Sequence, residues 1–438
     1  MATNGAHAVG RALPRLDGPE KVTGFTRYAG DLQRPGLLHA RLVLSPHAHA
    51  RIVGVDAGAA RGMAGVVGVF TARDLPFARP GASDRNLMPL ARDRALFNGH
   101  PVAVVVAVSP AAAEDGAARV HVEYEPLPAV VDPVAAMRPD APRVAEPGSG
   151  GEEEGELALH GADEGTEAQR EAAGPNVAST VHYRRGDVER GLAESEVVVE
   201  GRYTTAVVHQ GYLEPQSALA AVEEPGGVTV WTGTQAMFFA RSQVARALGL
   251  PEHRVRVVAM PLGGGFGGKY VLLEPLVAAL ALRLGRPVAV TLSRAEEFLA
   301  TTPAPAAIVE ITTGARRDGR LTALQARVIF DAGAFPGAPL SIACLLLGGW
   351  YRVPHLDIRG WEVLTHKPGS GAYRAPGAVQ AAFAIESQMD ELARRLGMDP
   401  LELRRLNAAG EGDPLPNGKP WPRVGLAECL ATLAAARG

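Results

Sequence analysis

Cysteine is scarce. Cys344 and Cys429 are the only two in 438 residues, they lie far apart, and neither has a partner at metal-ligand spacing. That argues against a disulfide framework or an iron–sulfur site built from this chain. Aromatic residues make up only 5% of the sequence, so the cores must rely on valine, leucine and alanine. No apolar run approaches the ~18 residues of a membrane span, and no membrane is expected as a partner. The first residues, MATNGAHAVGRALPRLDG, lack a hydrophobic h-region. No secretory signal is therefore expected, and the expected compartment is the cytoplasm. Basic clusters are missing too, and with a net charge of −3 the chain carries no footprint for nucleic acid.

Glycine (51) and proline (34) are abundant, which signals many turns and close backbone approaches. The length allows two or more domains, each with its own core. Residues 19–133 read as one small α/β unit. LLHARLVLSPHAHARIVGVD alternates as strands around the Ser45-Pro46 turn, and HPVAVVVAVSP suits a buried strand. Ser109 and Pro110 then supply an N-cap and first-turn residue for a helix over Ala111–Arg119. Residues 134–178 read as an acidic Gly/Pro-rich linker. Eight acids face one base between Gly151 and Glu171, a formal −7 that leaves about +4 for the rest of the chain.

Residues 179–438 read as a larger α/β region. Strands are predicted at Glu196–Thr205, Val228–Thr232, Arg254–Ala259, Val288–Leu292 and Leu324–Asp331. Helices are predicted at Ala236–Leu248, Leu272–Leu284 and Ala378–Leu396. Asp399, Pro400 and Glu402 form the start of another helix, and VGLAECLATLAAARG reads as an amphipathic one.

Within this region PLGGGFGGKY, Pro261 to Tyr270, lies between a strand and a helix. Such a loop offers backbone N–H groups and a positive helix end to an anion. Gly263, Gly268 and Lys269 fit G-x-x-x-x-G-K, yet the next residue is Tyr270 rather than the hydroxyl a P-loop needs for magnesium. Gly263, Gly265 and Gly268 fit G-x-G-x-x-G, yet the following strand ends at Ser293 and Arg294, with no ribose-binding acid. A dinucleotide site using Arg294 finds no support in the rest of the chain. A purely structural glycine turn stays open at this point.

GGGFGGK, preceded by WTGTQAMFFARSQVARALGLPEHRVRVV, resembles the molybdopterin-binding subunit of the xanthine dehydrogenase/aldehyde oxidase family. GAYRAPGAVQAAFAIESQMDELARRLGMDPLELRRLN is similar to a second signature of that family. GHPVAVVVAVSPAAAEDGAARVHVEYEPLPAVVDP is similar to the end of its hammerhead domain. The likeness spans nearly the whole chain apart from the acidic segment. It implies a mixed α/β (α+β) fold: a hammerhead domain at 19–133, the linker, and a first molybdopterin-binding domain at 179–438.

The resemblance also implies roles. Gln235 matches a glutamine that hydrogen-bonds a molybdenum oxo ligand, so it is expected to serve both catalysis and cofactor binding. Gly264, Gly265, Phe266, Gly267 and Gly268 are expected to line the cofactor with backbone N–H groups, Phe266 also shaping the substrate pocket. Lys269 reads as an anchor at the helix start. Tyr270 stands where purine-oxidising members carry an acid, so it is expected to meet substrate with a hydroxyl and an aromatic face. Arg374 matches an arginine that stabilises negative charge developing on substrate. Ala375 follows it where carbon monoxide dehydrogenases carry cysteine, which argues against that activity. His209, Gln210 and Glu214 form a polar cluster near the expected entrance, with structural hydrogen bonding at least as good a reading, and Glu214 is not named as the base.

The implied reaction is hydroxylation of an aldehyde or electron-poor N-heterocycle with water as oxygen source. The implied cofactor is molybdopterin, in its cytosine dinucleotide form, whose dithiolene rather than a side chain holds molybdenum. The family's base is a glutamate in a second molybdopterin-binding domain, and this chain ends before it. A second molybdopterin-domain chain is therefore an expected partner, unless the sequence is a fragment. An iron–sulfur subunit with 2Fe-2S clusters and a subunit with FAD are expected beside it. The competing reading is a non-catalytic scaffold for cofactor loading or assembly, against which Gln235, Phe266 and Arg374 speak.

Overall fold

A computed structural model describes residues 10–78, 85–145, 173–223 and 225–436. The acidic run at 151–171 lies outside them. The N-terminal segment supplies β1 (Leu38–Leu44), β2 (Ala50–Asp56), β3 (Val66–Thr71), β4 (Arg94–Ala95), β5 (Pro101–Ala107) and β6 (His121–Pro126). The larger region begins with β7 (Val177–Arg185), β8 (Val197–Thr205), β9 (Ser217–Ala221), β10 (Val228–Thr232), β11 (Val255–Ala259) and β12 (Val288–Thr291). It continues with β13 (Ala306–Ala315), β14 (Leu321–Gly333) and β15 (His355–Leu364). The result is the mixed α/β architecture expected from the sequence.

One sheet crosses the two sequence segments. Its order is β11-β10-β9-β12-β1-β5-β3, and the crossing is made by β1 running parallel to β12, with Leu38 opposite Val288. β5 lies between β1 and β3 and is buried from Val102 to Ala107, which is why its apolar residues run without alternation. α1 (Pro110–Ala117) follows at once, because Ser109 Oγ accepts the Ala112 N–H at 3.2 Å. The other large sheet has the order β7-β15-β14-β13-β8, and β4-β2-β6 form a small third one.

Helices cover these sheets. α2 (Met237–Leu248) and α3 (Glu274–Leu284) follow β10 and β11, and each ends on a left-handed glycine, Gly249 and Gly285. α3 is apolar almost all round and buries Leu276, Val277 and Leu280 in the core of the seven-stranded sheet. α4 (Arg294–Ala300) starts with a Ser293/Glu296 capping box. α5 (Leu340–Leu347) and α6 (Ala378–Leu396) pack on the five-stranded sheet through Leu347, Ile385, Met389 and Leu392. α7 (Pro400–Asn407), capped by Asp399, and α8 (Leu426–Ala436) follow. Among the described residues no helix is long and apolar enough to cross a membrane.

The ends of the expected linker are tied down. Asn176 accepts the Val144 N–H at 2.8 Å and donates to the Ala136 and Pro142 carbonyls. A second tie is a buried histidine pair. His49, before β2, stacks on His366, after β15, with ring centroids 4.1 Å apart. His49 Nδ1 meets the Pro128 carbonyl at 2.7 Å, and His366 Nδ1 accepts the Val130 N–H at 3.0 Å. Burial, helped by His49, pushes His366 down to about 4, and burial alone pushes His100 down to about 3. The unfolded chain therefore takes up protons first as the pH falls, so this stability is complete above pH ~6.5 and lost towards pH 4. Thermal unfolding from pH 7 to 4 should show a falling midpoint, and a shallower fall in His366→Asn. Equal slopes would remove His366 from the effect.

Candidate active site

β10 and β11 run parallel at one edge of the seven-stranded sheet. Their C-terminal ends open the kind of crevice in which α/β sheets bind ligands. The turn after β10 carries Gln235 into α2, and the glycine loop after β11 leads to α3. Thr232 Oγ1 donates to Glu274 Oε1 at 2.7 Å, tying the end of β10 to the first turn of α3. Burial raises the pKa of Glu274.

Gln235 joins the two connections. Its N–H donates to the Lys269 carbonyl at 2.7 Å, and its Oε1 accepts the N–H groups of Gly267 at 2.9 Å and Lys269 at 3.3 Å. Both partners are donors, so the amide orientation follows from the network. The amide NH2 donates to no described residue, and Gln235 is exposed. Tyr270 is held by its carbonyl, which accepts from Thr234 Oγ1 at 2.6 Å.

The loop packs tightly on the protein. A Cβ on Gly265 would lie 2.5 Å from Gln235 Oε1, and one on Gly267, where φ is +104°, 2.7 Å from the Ala372 carbonyl. Gly267 N–H donates to Gln235 and Gly268 N–H to the Gly265 carbonyl at 2.8 Å, so both are used within the protein. Among the described residues the N–H groups of Gly264, Gly265 and Phe266 have no acceptor. Phe266 is exposed and Gly264 partly so, and these two form the crest of the loop, while Gly265 is buried.

Arg374, more than one hundred positions downstream, is brought to the same crest by its backbone. Its N–H donates to the Phe266 carbonyl at 2.8 Å. Gln210 braces this approach by donating to the Thr302 and Ala372 carbonyls, each at 2.8 Å. Phe266 (φ +54°), Arg374 (+22°) and Ala375 (+62°) are the non-glycine residues with left-handed backbone among those described. Such conformations cost on the order of 1–3 kcal/mol each and persist where the surroundings impose them. Here they gather at one place.

Beneath the crest lies a buried polar layer that the sequence did not point to as a unit. Glu214 Oε2 accepts Lys269 Nζ and the Gly263 N–H, each at 2.7 Å. Lys269 therefore points into the protein, as an anchor and not as a phosphate ligand. Burial lowers its pKa, while its hydrogen bond to Glu214 opposes that shift. Tyr212 donates to Glu297 at 2.7 Å, and burial raises the pKa of both. His209 stacks edge-on against Phe298 and meets Thr301 Oγ1 at 3.0 Å, so the polar cluster around it is structural.

The exposed residues here are Gln235, Phe266 and Arg374, beside loop N–H groups of Gly264 and Phe266 that have no acceptor among the described residues. Donors of this kind suit an oxygen-rich, anionic group. No group of three or more His, Cys, Asp or Glu converges among the described residues.

Residues 170–408 match the family model described as molybdopterin cofactor-binding domain. Residues 23–128 match that described as aldehyde oxidase and xanthine dehydrogenase, a/b hammerhead domain. The xanthine dehydrogenase molybdenum-binding subunit of Escherichia coli O157:H7 is 35% identical over 437 residues, covering 95% of this chain and 54% of that protein. The nicotinate dehydrogenase large molybdopterin subunit of Eubacterium barkeri is 31% identical over 428 residues, covering 96% of this chain and 94% of that one. The aldehyde oxidoreductase of Desulfovibrio gigas superposes with a TM-score of 0.85 at 28% identity, covering 97% of this chain and 46% of that structure. The chain spans about half the length of the E. coli relative and nearly all of the E. barkeri one. An α/β hammerhead domain, a molybdopterin cofactor-binding domain and relatives above 30% identity lead to one conclusion: the chain belongs to the xanthine dehydrogenase/aldehyde oxidase family, as a molybdopterin-binding subunit.

Proposed function

We propose that this chain is the first molybdopterin-binding half of a molybdenum hydroxylase that oxidises an aldehyde or an electron-poor N-heterocycle. The observation that carries this reading is the joining of Gln235, the loop crest and Arg374 through the Gly267 N–H and the Phe266 carbonyl. The N–H and amide donors at this loop fit molybdopterin, and the pyrophosphate of a cytosine dinucleotide form suits the same class of donor. When bound, the cofactor supplies a two-electron redox centre.

The chain's own residues orient and stabilise. The Gln235 NH2 donates to an oxygen of the cofactor, and the crest N–H groups fix its position without reorganising during reaction. The half-exposed Phe266 ring forms one wall for a planar substrate. The Arg374 guanidinium stabilises negative charge that develops on the substrate oxygen or ring nitrogen. Tyr270 offers a ring and hydroxyl to substrate in place of an acid.

Partner subunits would supply 2Fe-2S clusters and FAD to take up electrons, and a second molybdopterin-domain chain would complete the site with the base. The E. barkeri relative supports a separate second chain, since a protein of about this length is itself named a large molybdopterin subunit. Exposed Leu213 and Phe238, neighbours in sequence of Glu214 and Gln235, offer apolar surface for such a chain. The test is oxidation of an aldehyde and an N-heterocycle panel by the native complex in isotopically labelled water. Product carrying solvent oxygen is expected. Turnover with none of the panel, or oxygen drawn from dioxygen, would refute the reading.

A further inference from the structure

The chemistry proposed above draws on the crest donors, Gln235 and Arg374, and gives the ion pair buried beneath them no direct part. Lys269 is only 3% exposed and meets Glu214 at 2.7 Å. Removing both charges from water is expensive, and such a pair is weak evidence for stability by itself. The bonds of Glu214 show a different use. Oε2 takes both Lys269 Nζ and the Gly263 N–H, while Oε1 is buried with no partner. The Glu214 N–H in turn donates to the Gly263 carbonyl at 3.2 Å. One carboxylate oxygen thus grips the first and the last residue of the 263–269 loop, and the other oxygen goes unsatisfied, a cost that needs a reason.

The floor under this grip is rigid. Lys269 Nζ sits 4.7 Å from the centre of the Tyr212 ring. Gln216 Nε2 donates to Tyr212 Oη and to the Gly268 carbonyl, each at 3.0 Å. Both ends of the loop are thus held from below, and the segment 264–266 between them takes its orientation from these ends.

We propose that Glu214 and Lys269 are a positioning pair, a clasp that sets the direction of the crest N–H donors and of Gln235 towards the reacting group. This rests on the cofactor reading of the crest. Neither residue touches substrate or cofactor; both act through the loop backbone.

Glu214→Gln keeps an oxygen for the Gly263 N–H and removes the charge that holds Lys269. The double variant Glu214→Gln/Lys269→Met removes the stranded ammonium as well, which separates loss of loop direction from general instability. Both are made in the native complex and read in two ways. Hydrogen exchange of the peptide spanning 263–269 should accelerate at least tenfold in both variants, with the rest of the chain unchanged. Turnover per bound molybdenum should fall about ten- to a hundredfold with KM little changed, the size expected for a misdirected site. The molybdenum electron paramagnetic resonance signal should shift. Unchanged exchange would overturn the clasp. Faster exchange with wild-type turnover and signal, or a loss accounted for wholly by missing molybdenum, would overturn its positioning role. A wild-type complex without molybdenum would defeat the functional reading instead, and the exchange arm would still decide the clasp.

Discussion

Replacing Gln235 by glutamate is expected to lower turnover per bound molybdenum by about 10²–10³-fold, the usual loss for one preorganised donor at a reacting centre. The substitution is chosen from the geometry. Gln235 Oε1 accepts from Gly267 and Lys269, and a glutamate oxygen keeps both bonds. What changes is the outward group, from an NH2 donor to a carboxylate oxygen. Gln235→Ala loses the inner bonds too, so it should fall at least as far and also loosen the loop. Steady-state kinetics normalised to molybdenum content decide the matter. Wild-type turnover in Gln235→Glu would remove the residue from the site.

Arg374→Met is expected to lower kcat/KM on the order of 10²–10³-fold, with Arg374→Lys recovering part of it. The arginine backbone is what docks on Phe266, so the loop should survive the change of side chain. A lysine restores the positive charge but not the planar fork that meets two acceptor atoms at once. The loss should therefore be largest for substrates that gather negative charge on oxygen or ring nitrogen. Equal kinetics in Arg374→Met would mean that the guanidinium faces solvent throughout the reaction.

Much of this fold was legible where local chemistry decides it. The β5–α1 passage could be read from a continuous valine run ended by Ser109-Pro110, and α2, α3 and α6 from their apolar periods and closing glycines. β9 could not, since Ser-Ala-Leu-Ala-Ala carries no β-branched residue and becomes a strand by lying between β10 and β12. β15 was hidden by Asp357, Arg359 and Glu362, two of which pair or cap at partners distant in sequence. The single sheet shared by β1 and β12 is also invisible locally, because 250 residues separate Leu38 from Val288.

The site divides the same way. Gln235, the glycine loop and Arg374 were named through a family resemblance, and their meeting depends on two hydrogen bonds to the loop backbone that no motif displays. The bond of Gly267 to Gln235 and the clasp of Lys269 on Glu214, 55 residues away, are set by tertiary packing. Neither residue type nor spacing announces them.

In the proposed function the crest of this loop holds a molybdenum cofactor within a larger complex. The most direct measurement is metal analysis of the native complex captured through this chain, together with the intact masses of its subunits. Molybdenum stoichiometric with this chain, beside a second molybdopterin-domain chain, is the predicted result. A stable complex without molybdenum would contradict it and turn the chain into a scaffold.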